Sequence, residues 1–329
     1  MHALRQIVII SSSASLLCGL VMSFLCRLSA QSSPSEPAAR VFVQLILSQL
    51  GLADAVFSFS FLLAQARNGT SDGGWACQLG AVLNEYGGIV STWWTVIMAH
   101  AVSRALLHPH RSVMPLPFSI TAATVWGIPF VVEAVLFFTL YEPRGWLGPQ
   151  VSLPWCHWKR DDMAMSLLLY LNVGVAIGYV TLAYGHVHLR SRALHAEALL
   201  QEGAAEAAEA VAATSHRLWT LDLRLASYHL AYVFSQTPSV VHRVWEACAA
   251  SWPTRVSSPP YWIAVSQAST QPTQGLLNAV VFIHQARCTP HSLALDCRAC
   301  LRRAMRPTER STILTATVDH ESGAWGRPQ

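Results

Sequence analysis

The sequence alternates between long apolar stretches and short polar segments. Seven stretches are apolar over about 20 residues, the length that a helix needs to cross a hydrocarbon core of about 30 Å. The segments between them contain turn residues, such as Ser32, Ser33 and Pro34 after the first stretch. The pattern predicts an all-α membrane protein, a bundle of seven transmembrane helices over residues 6–25, 41–64, 75–102, 116–140, 163–187, 223–245 and 261–285.

Two further features complete the predicted organisation. The bundle is expected to occupy residues 1–290, and residues 291–329 are expected to form a cytosolic tail with a short interfacial helix followed by a disordered segment. The first apolar stretch has the composition of a signal peptide but has no clear small-residue cleavage site. We therefore expect it to be retained as the first helix.

Composition supports a lipid environment and excludes other classes. The chain is 52% hydrophobic and 12% charged, whereas a soluble domain carries roughly 25% charged residues. A net charge of +4 in so apolar a chain gives no indication of a nucleic-acid partner. The predicted partner at this level is the lipid bilayer.

The distribution of basic residues predicts the orientation. With the N-terminus outside, the predicted inner segments contain 15 of the 22 Lys and Arg residues and the outer segments contain 7. Positive charge is enriched on the cytoplasmic side of membrane proteins. We therefore expect the N-terminus outside and the C-terminus in the cytosol.

Several residues in the predicted loops are candidates for covalent modification. Cys77 and Cys156 both fall on the outer side, where a disulfide is chemically allowed; two free thiols are the alternative. Asn68 begins an Asn-Gly-Thr glycosylation sequon in an outer loop. Near the last helix, Cys288, Cys297 and Cys300 are candidates for S-palmitoylation. Zinc binding or plain reduced thiols are the alternatives for these three cysteines, although their spacing matches no common zinc module.

Ionisable residues within the predicted spans are candidates for function, because a charge in the bilayer is costly. The residues in the outer halves of the spans are candidates for ligand binding: Glu85, Glu133, His242 and Arg243. Three deeper residues are candidates for a polar core that switches between helix arrangements: Asp54, His229 and Asn278. Prolines favour kinks in helices, so the candidate hinges are Pro129, Pro238 and Pro272.

Three other functional classes were weighed. A retinal protein needs a lysine in its last helix, and the only lysine is Lys159 in an outer loop, so this class is excluded. A seven-helix zinc hydrolase needs histidines at one membrane depth, whereas His186, His188 and His195 cluster at one end of the fifth helix. A transporter or channel remains as the alternative, although repeated halves with broken helices are not visible.

Motifs on five predicted helices carry a resemblance to a known family. The matching residues are Leu52-Ala53-Asp54, Cys77-Gln78 with Ser91-Thr92-Trp93-Trp94-Thr95, Trp126-Gly127-Ile128-Pro129, Pro238-Ser239 with His242-Arg243-Val244, and Thr270 to Phe282 with Pro272, Gln274-Gly275 and Asn278. With these residues the chain resembles the cyclic-AMP-receptor-like G-protein-coupled receptors, the slime-mould chemoattractant type, which are related to the secretin-like receptors. His242 stands where that group has an asparagine before the arginine.

The resemblance implies a multi-pass receptor of the plasma membrane. A small extracellular ligand would enter the bundle and separate the inner ends of the fifth and sixth helices, which exposes a cleft for a heterotrimeric G protein. Such a receptor is not an enzyme and needs no cofactor or metal. Arrestin or a receptor kinase would act on the tail, and the expected G-protein contacts are Arg104, Arg190, Arg192 and Arg224.

Overall fold

The described part of the chain is almost entirely helical. The computed structural model describes residues 2–32, 38–65, 74–107, 116–141, 147–149, 156–158, 163–200, 226–246, 248–249 and 260–285, all within the compact unit Met1–Ala286. The helices are α1 (His2–Ser32), α2 (Ala38–Gln65), α3 (Trp75–Leu107), α4 (Phe118–Leu136), α5 (Met163–Leu200), α6 (226–246), α7 (Tyr261–Thr270) and α8 (Gln274–Gln285).

Three helices in the described part of the chain are long and apolar enough to cross a membrane. They cover Ala3–Gln31, Val41–Gln65 and Phe118–Thr139, with mean hydropathies of 2.1, 1.7 and 1.8. Of their most apolar windows, 67% is buried in α2 but only 28% in α1 and 22% in α4. Because α1 and α4 expose apolar surface that water would not tolerate, a lipid bilayer is their environment. In this bundle α2 is central and α1 and α4 are peripheral.

Small residues set how closely the helices approach. A Cβ atom added to Gly19 on α1 would lie 2.7 Å from the carbonyl oxygen of Gly51 on α2, and the reverse distance is also 2.7 Å. Any larger residue at either position would force these two helices apart, since small residues permit close backbone approach in membrane bundles. The α1–α2 pair thus depends on glycine at the crossing point.

The apolar core lies between α2, α3, α5 and α6. Its largest fully buried side chains include Trp94, Met98 and Tyr228. Phe118, at the start of α4, packs against Trp94 with a ring-centroid distance of 5.9 Å. This core anchors the half of α3 that follows the polar residues described below.

Two elements depart from regular helix. α4 continues into a π-helical turn at Phe137–Tyr141, and a 3₁₀ turn at Gln271–Thr273 separates α7 from α8. Pro272 lies in that 3₁₀ turn, whereas Pro129 lies inside α4 and Pro238 inside α6, both of which are helical on either side of the proline.

A short antiparallel hairpin caps one end of the bundle. Strand β1 (Leu147–Pro149) pairs with β2 (Cys156–Trp158), so that Gly148 lies opposite His157. Both strands contact α3, which begins at Trp75 at the same end. We call this end the hairpin end. The sequence pattern does not predict these strands.

Each of the seven predicted stretches is helical over most of its described residues. Four of the first five helices, α1, α2, α3 and α5, extend beyond the predicted spans by up to 13 residues, as α5 shows by continuing to Leu200. That all seven stretches cross a bilayer, and in which direction, stays a prediction. The predicted tail over residues 291–329 lies outside the described residues.

Candidate functional site

A buried carboxylate forms the centre of a polar network inside the bundle. Asp54 on α2 is fully buried. Its Oδ1 accepts hydrogen bonds from Ser91 Oγ at 2.7 Å and Gln274 Nε2 at 3.0 Å, and its Oδ2 accepts one from Asn278 Nδ2 at 2.7 Å. Because these donors come from α3 and α8, the Asp54 side chain connects three helices, α2, α3 and α8. We call this network the polar core.

The polar core extends to α6 through neutral groups. Gln274 Oε1 accepts a hydrogen bond from Gln236 Nε2 at 2.6 Å and a longer one from Ser235 Oγ at 3.3 Å. One turn earlier on α6, the hydroxyl of Tyr232 and Thr92 Oγ1 are 2.7 Å apart. Gln274 is therefore the residue through which α6 reaches the Asp54 carboxylate.

A second polar layer lies closer to the hairpin end. Gln267 Nε2 on α7 donates to Ser239 Oγ on α6 at 3.2 Å and to Gln271 Oε1 at 2.9 Å. All three residues are buried. One turn further along α6, Arg243 Nη1 is 2.8 Å from Glu246 Oε2, and His242 Nε2 is 3.8 Å from Glu246 Oε1. Polar side chains therefore follow the inner face of α6 from Tyr232 to Glu246.

The four candidate ligand-binding residues do not share one described cavity. Glu133 lines a cavity between α3 and α4, while His242 and Arg243 lie beside Glu246 on α6. Glu85 is buried on α3, seven residues before Thr92 and hence on the same helix face, about 10 Å nearer the hairpin end. The ligand-binding role of each of these residues stays a prediction.

The candidate polar-core residues separate into two places. Asp54 and Asn278 are in direct hydrogen-bond contact. His229 instead lies between α6 and α5, with its Nε2 3.2 Å from Thr181 Oγ1 and its ring 5.8 Å from that of Tyr184. Its position on the α5-facing side of α6 keeps it away from Asp54.

The hairpin end of α3 is covalently held. Cys77 is buried and disulfide-bonded, while the other described cysteines, Cys18, Cys26 and Cys248, are free thiols. Strand β2, which begins at Cys156, contacts α3. The side chain of Cys156 lies outside what the structure describes, so its pairing with Cys77 stays a prediction.

The opposite end of the bundle carries the predicted G-protein contacts. Arg104 lies in the last turn of α3 and is half-buried, while Arg190 and Arg192 are exposed on α5. His100 Nδ1 and the hydroxyl of Tyr179 are 2.7 Å apart and connect α3 to α5 at this end. The remaining predicted sites lie outside the described residues: Asn68, Arg224, Cys288, Cys297 and Cys300.

Sequence reasoning missed most of the polar core. Ser91 and Gln274 occur in the motifs that carry the family resemblance, but neither is ionisable and neither was selected as a site residue. Gln236 and Tyr232 are in no motif that was used. The signal available was the concentration of Gln, Ser and Thr in the apolar stretches 223–245 and 261–285, because amides and hydroxyls in a membrane helix usually bind another helix.

No cluster of three or more His, Cys, Asp or Glu side chains suited to a metal ion occurs among the described residues. The surroundings of Asp54 are neutral amide and hydroxyl donors, which satisfy a carboxylate without a metal. Comparison with known protein-family models and with curated proteins finds no match to this chain. The functional argument therefore depends on the residues themselves.

Proposed function

We propose that the chain is a seven-helix G-protein-coupled receptor of the plasma membrane, with its N-terminus outside and its C-terminus in the cytosol. A small extracellular ligand enters the bundle, and a heterotrimeric G protein binds at the opposite end. The observation that carries the proposal is the polar core, because within it α6 is bound to α3 and α8 by neutral hydrogen bonds, whereas α3 and α8 are bound to the Asp54 carboxylate of α2.

The two parts of the polar core differ in strength. The bonds of Ser91, Gln274 and Asn278 to Asp54 are made to a carboxylate, and such bonds are roughly twice as strong as neutral ones when the acid is ionised. The contacts of α6 are amide–amide and hydroxyl–hydroxyl, which contribute about 0.6 kcal/mol each between membrane helices. Within the polar core, the bonds of α6 are therefore weaker than those that hold α2, α3 and α8 together.

A mobile sixth helix is what the proposed activation requires. A receptor needs two helix arrangements of similar free energy, and the ligand must bind one of them better. Because Gln236 and Tyr232 are bound to α8 and α3, a shift of α6 away from the polar core breaks neutral bonds there and leaves the Asp54 bonds intact. The network supports a switch that moves α6 against a fixed α2–α3–α8 unit.

The motif residues support the same family. Asp54, Ser91, Gln274 and Asn278 come from three separate motifs of the cyclic-AMP-receptor-like resemblance, and they meet at one carboxylate. Asp54 is more than 200 positions from Gln274 and Asn278, so local sequence preference does not explain why a carboxylate and its two amide donors meet.

The proposed ligand enters near Glu85, His242 and Arg243. A Cys77–Cys156 disulfide, glycosylation of Asn68 and palmitoylation of the tail cysteines belong to this proposal.

The test is receptor-stimulated exchange of GDP for GTP on a panel of purified Gα subunits. The purified full chain in lipid nanodiscs is expected to accelerate exchange on one or more subunits when a ligand library is applied. The double charge reversal Arg190→Glu with Arg192→Glu is expected to abolish the acceleration, because both residues are exposed on the proposed G-protein face. Leu182→Ala, on the apolar exposed side of α5, is the matched control.

Two outcomes would contradict the proposal. Silence of the whole panel with correctly folded protein argues against G-protein coupling, and ligand-dependent uptake of solute into proteoliposomes without G protein would favour the transporter alternative. Epitope tags at the two termini, tested on intact cells, check the orientation: the N-terminal tag should be accessible and the C-terminal tag should not.

A further inference from the structure

A buried histidine on α6 lies beside the second polar layer with its hydrogen-bonding capacity unused. His242 is fully buried, and neither of its ring nitrogens makes a hydrogen bond to any described residue. A neutral imidazole has one donor and one acceptor nitrogen, and buried polar groups of this kind are hydrogen-bonded in most proteins. The unsatisfied ring therefore raises the free energy of this arrangement of helices.

Two charged groups of the same helix act on the imidazole, and one neutral amide faces it from α7. Glu246 Oε1 is 3.8 Å from His242 Nε2, while Glu246 Oε2 is bound to Arg243 Nη1 at 2.8 Å. Gln267 of α7 lies beside the ring. No other charged or titratable group among the described residues acts on His242. The carboxylate nearest to the ring is therefore already bound to a cation.

The amide that faces the ring is held by other partners. Gln267 Nε2 donates to Ser239 Oγ on α6 and to Gln271 Oε1 on its own side of the contact. These two bonds use both hydrogens of the amide and fix its orientation. Gln267 Oε1 is left without a hydrogen-bond partner among the described residues. The contact between α6 and α7 thus depends at this layer on the Gln267–Ser239 bond, beside an orphaned acceptor and an orphaned ring.

A proton on His242 makes this arrangement less favourable. The ordinary pKa of an imidazole is about 6.5, so mild acid charges a ring that reaches water. An imidazolium has two N–H donors, whereas neither nitrogen of His242 has an acceptor among the described residues. A buried charge without hydrogen bonds is costly, and the Arg243 cation beside it adds repulsion. The charged ring therefore favours an arrangement in which α6 has moved.

Protons reach this ring from the hairpin end. The Glu246 side chain is 19% exposed, against 0% for His242, and it follows one turn further along α6. We propose that protonation of His242 in mildly acidic surroundings breaks the Gln267–Ser239 bond and separates α6 from α7, so that the bundle senses pH at its hairpin end. We call the arrangement with this bond closed and the one without it separated. The inference goes beyond the proposed function, because it needs neither an organic ligand nor a G protein.

The experiment measures the distance between α6 and α1 by pulsed electron paramagnetic resonance on the full chain in nanodiscs. Helix α1 reports on the α7 side, because Leu4 and Ala264 belong to one apolar cluster. Nitroxides are coupled to unnatural ketone side chains at Val244 and Ile10, both exposed, so that the native cysteines remain. A second, longer distance is expected to grow in acid.

The size of the expected change follows from the titration. For a ring that ionises only in the separated arrangement, the ratio of separated to closed protein rises about tenfold between about pH 7.5 and about pH 5.5. The ratio should therefore increase by up to this factor in the wild-type protein. A distance distribution that does not change with pH, or that shortens in acid, overturns the proposal.

Variants assign the effect to one ring. His242→Gln has no charged form in this range and is expected to remove the pH dependence. His186→Gln, at an exposed position on α5, is the matched control and should keep the full change. A pH dependence that persists in folded His242→Gln, or that disappears in His186→Gln, rejects the assignment to His242.

Folding of each variant is checked by its thermal midpoint and elution profile at about pH 7.5. If His242→Gln does not fold, His242→Asn replaces it with another neutral amide, and the wild-type titration decides by itself if its distances do not respond to acid. The readout is a distance within the bundle. Failure of G-protein coupling therefore leaves this test intact, and failure of this test leaves the coupling proposal intact.

Discussion

Two buried carboxylates in this bundle lie in opposite surroundings. Asp54 is enclosed by Ser91, Gln274 and Asn278, which direct three hydrogen bonds to its oxygens from two other helices. Glu133 lies in the wall of the cavity between α3 and α4, among aromatic rings that are exposed. The two side chains carry the same functional group and differ by one methylene.

The difference between these sites lies in how each carboxylate is surrounded. At Asp54, three amide and hydroxyl donors from α3 and α8 enclose the carboxylate, so its removal loosens three helices. Glu133 is buried in the wall of a cavity lined by aromatic and aliphatic side chains. A buried charge in a membrane protein indicates function, and the polar enclosure of Asp54 indicates structural coupling between helices.

The largest effect is expected from removing the Asp54 carboxylate. Asp54→Ala leaves the buried donors of Asn278, Gln274 and Ser91 without their acceptor and should destabilise the protein by about 3 kcal/mol. The measurement is the thermal midpoint of purified protein in nanodiscs. Glu133→Ala, measured in parallel, should lower the midpoint less, and an equal loss would remove the contrast between the two carboxylates.

An isosteric variant refines this prediction. Asp54→Asn keeps one acceptor oxygen but places an amide group opposite Asn278 Nδ2. Asn278 Oδ1 has no hydrogen-bond partner among the described residues, so rotation of the Asn278 amide restores a bond. We expect Asp54→Asn to lose less than half of the stability lost by Asp54→Ala. A loss as large as that of alanine would show that the charge itself is needed.

A second prediction concerns the backbone beside the polar core. A Cβ atom on Gly275 would lie 2.8 Å from both the carbonyl oxygen and the Oγ of Ser15, and 3.2 Å from the Cβ of Asp54. Gly275→Ala should therefore push α8 away from α1 and Asp54 and destabilise the protein by about 2 kcal/mol.

The lipid-facing side provides the control for this prediction. A Cβ atom on Gly127 of α4 would have no atom within 4 Å. Gly127→Ala should be neutral or stabilise the protein by up to about 1 kcal/mol through helix propensity. Both variants are measured by thermal midpoint, and similar losses in the two would mean that the close approach at Gly275 does not constrain the core.

A third prediction measures how firmly α6 is attached. A double-mutant cycle with Gln236→Leu and Gln274→Leu isolates the bond between Gln236 Nε2 and Gln274 Oε1. We expect a coupling of about 0.6 kcal/mol. The same cycle between Asp54 and Asn278 should give a larger coupling, because an acceptor carboxylate is involved. If the α6 coupling is the larger one, α6 is not the loosely attached helix.

The sequence was sufficient for the helices and for part of the polar core. Apolar length alone placed seven helical stretches, because a lipid-embedded helix must be apolar over its whole length. Asp54 and Asn278 were selected because they are polar within apolar runs. Ser91, Gln274 and Gln236 were not selected, because an uncharged polar side chain can bond to its own helix, to another helix or to the interface at little cost. Only the packing of α3, α6 and α8 shows which hydrogen-bond partner each of them has.

Other features needed tertiary information. His229 was selected for the same reason as Asp54, but it lies on the side of α6 that faces α5, and the sequence does not specify the rotation of α6. The β1–β2 hairpin has only three residues per strand, which is too short for a periodic signal. The π-helical turn after α4 has no sequence signature of its own, yet it contributes Phe137 and Phe138 to the cavity between α3 and α4.

The smallest expected effect concerns the hydrogen bond between α3 and α4 beside the cavity that Glu133 lines. Tyr86→Phe removes the hydroxyl that donates to the carbonyl oxygen of Trp126 but keeps the aromatic ring that lines the cavity. Because the Trp126 carbonyl also belongs to a helix, the loss should be only about 0.5 kcal/mol. The measurement is the thermal midpoint in nanodiscs, with Asp54→Ala measured in parallel. If Tyr86→Phe lowers the midpoint as much as Asp54→Ala does, the polar enclosure of Asp54 is not what distinguishes the central helices from the peripheral α4.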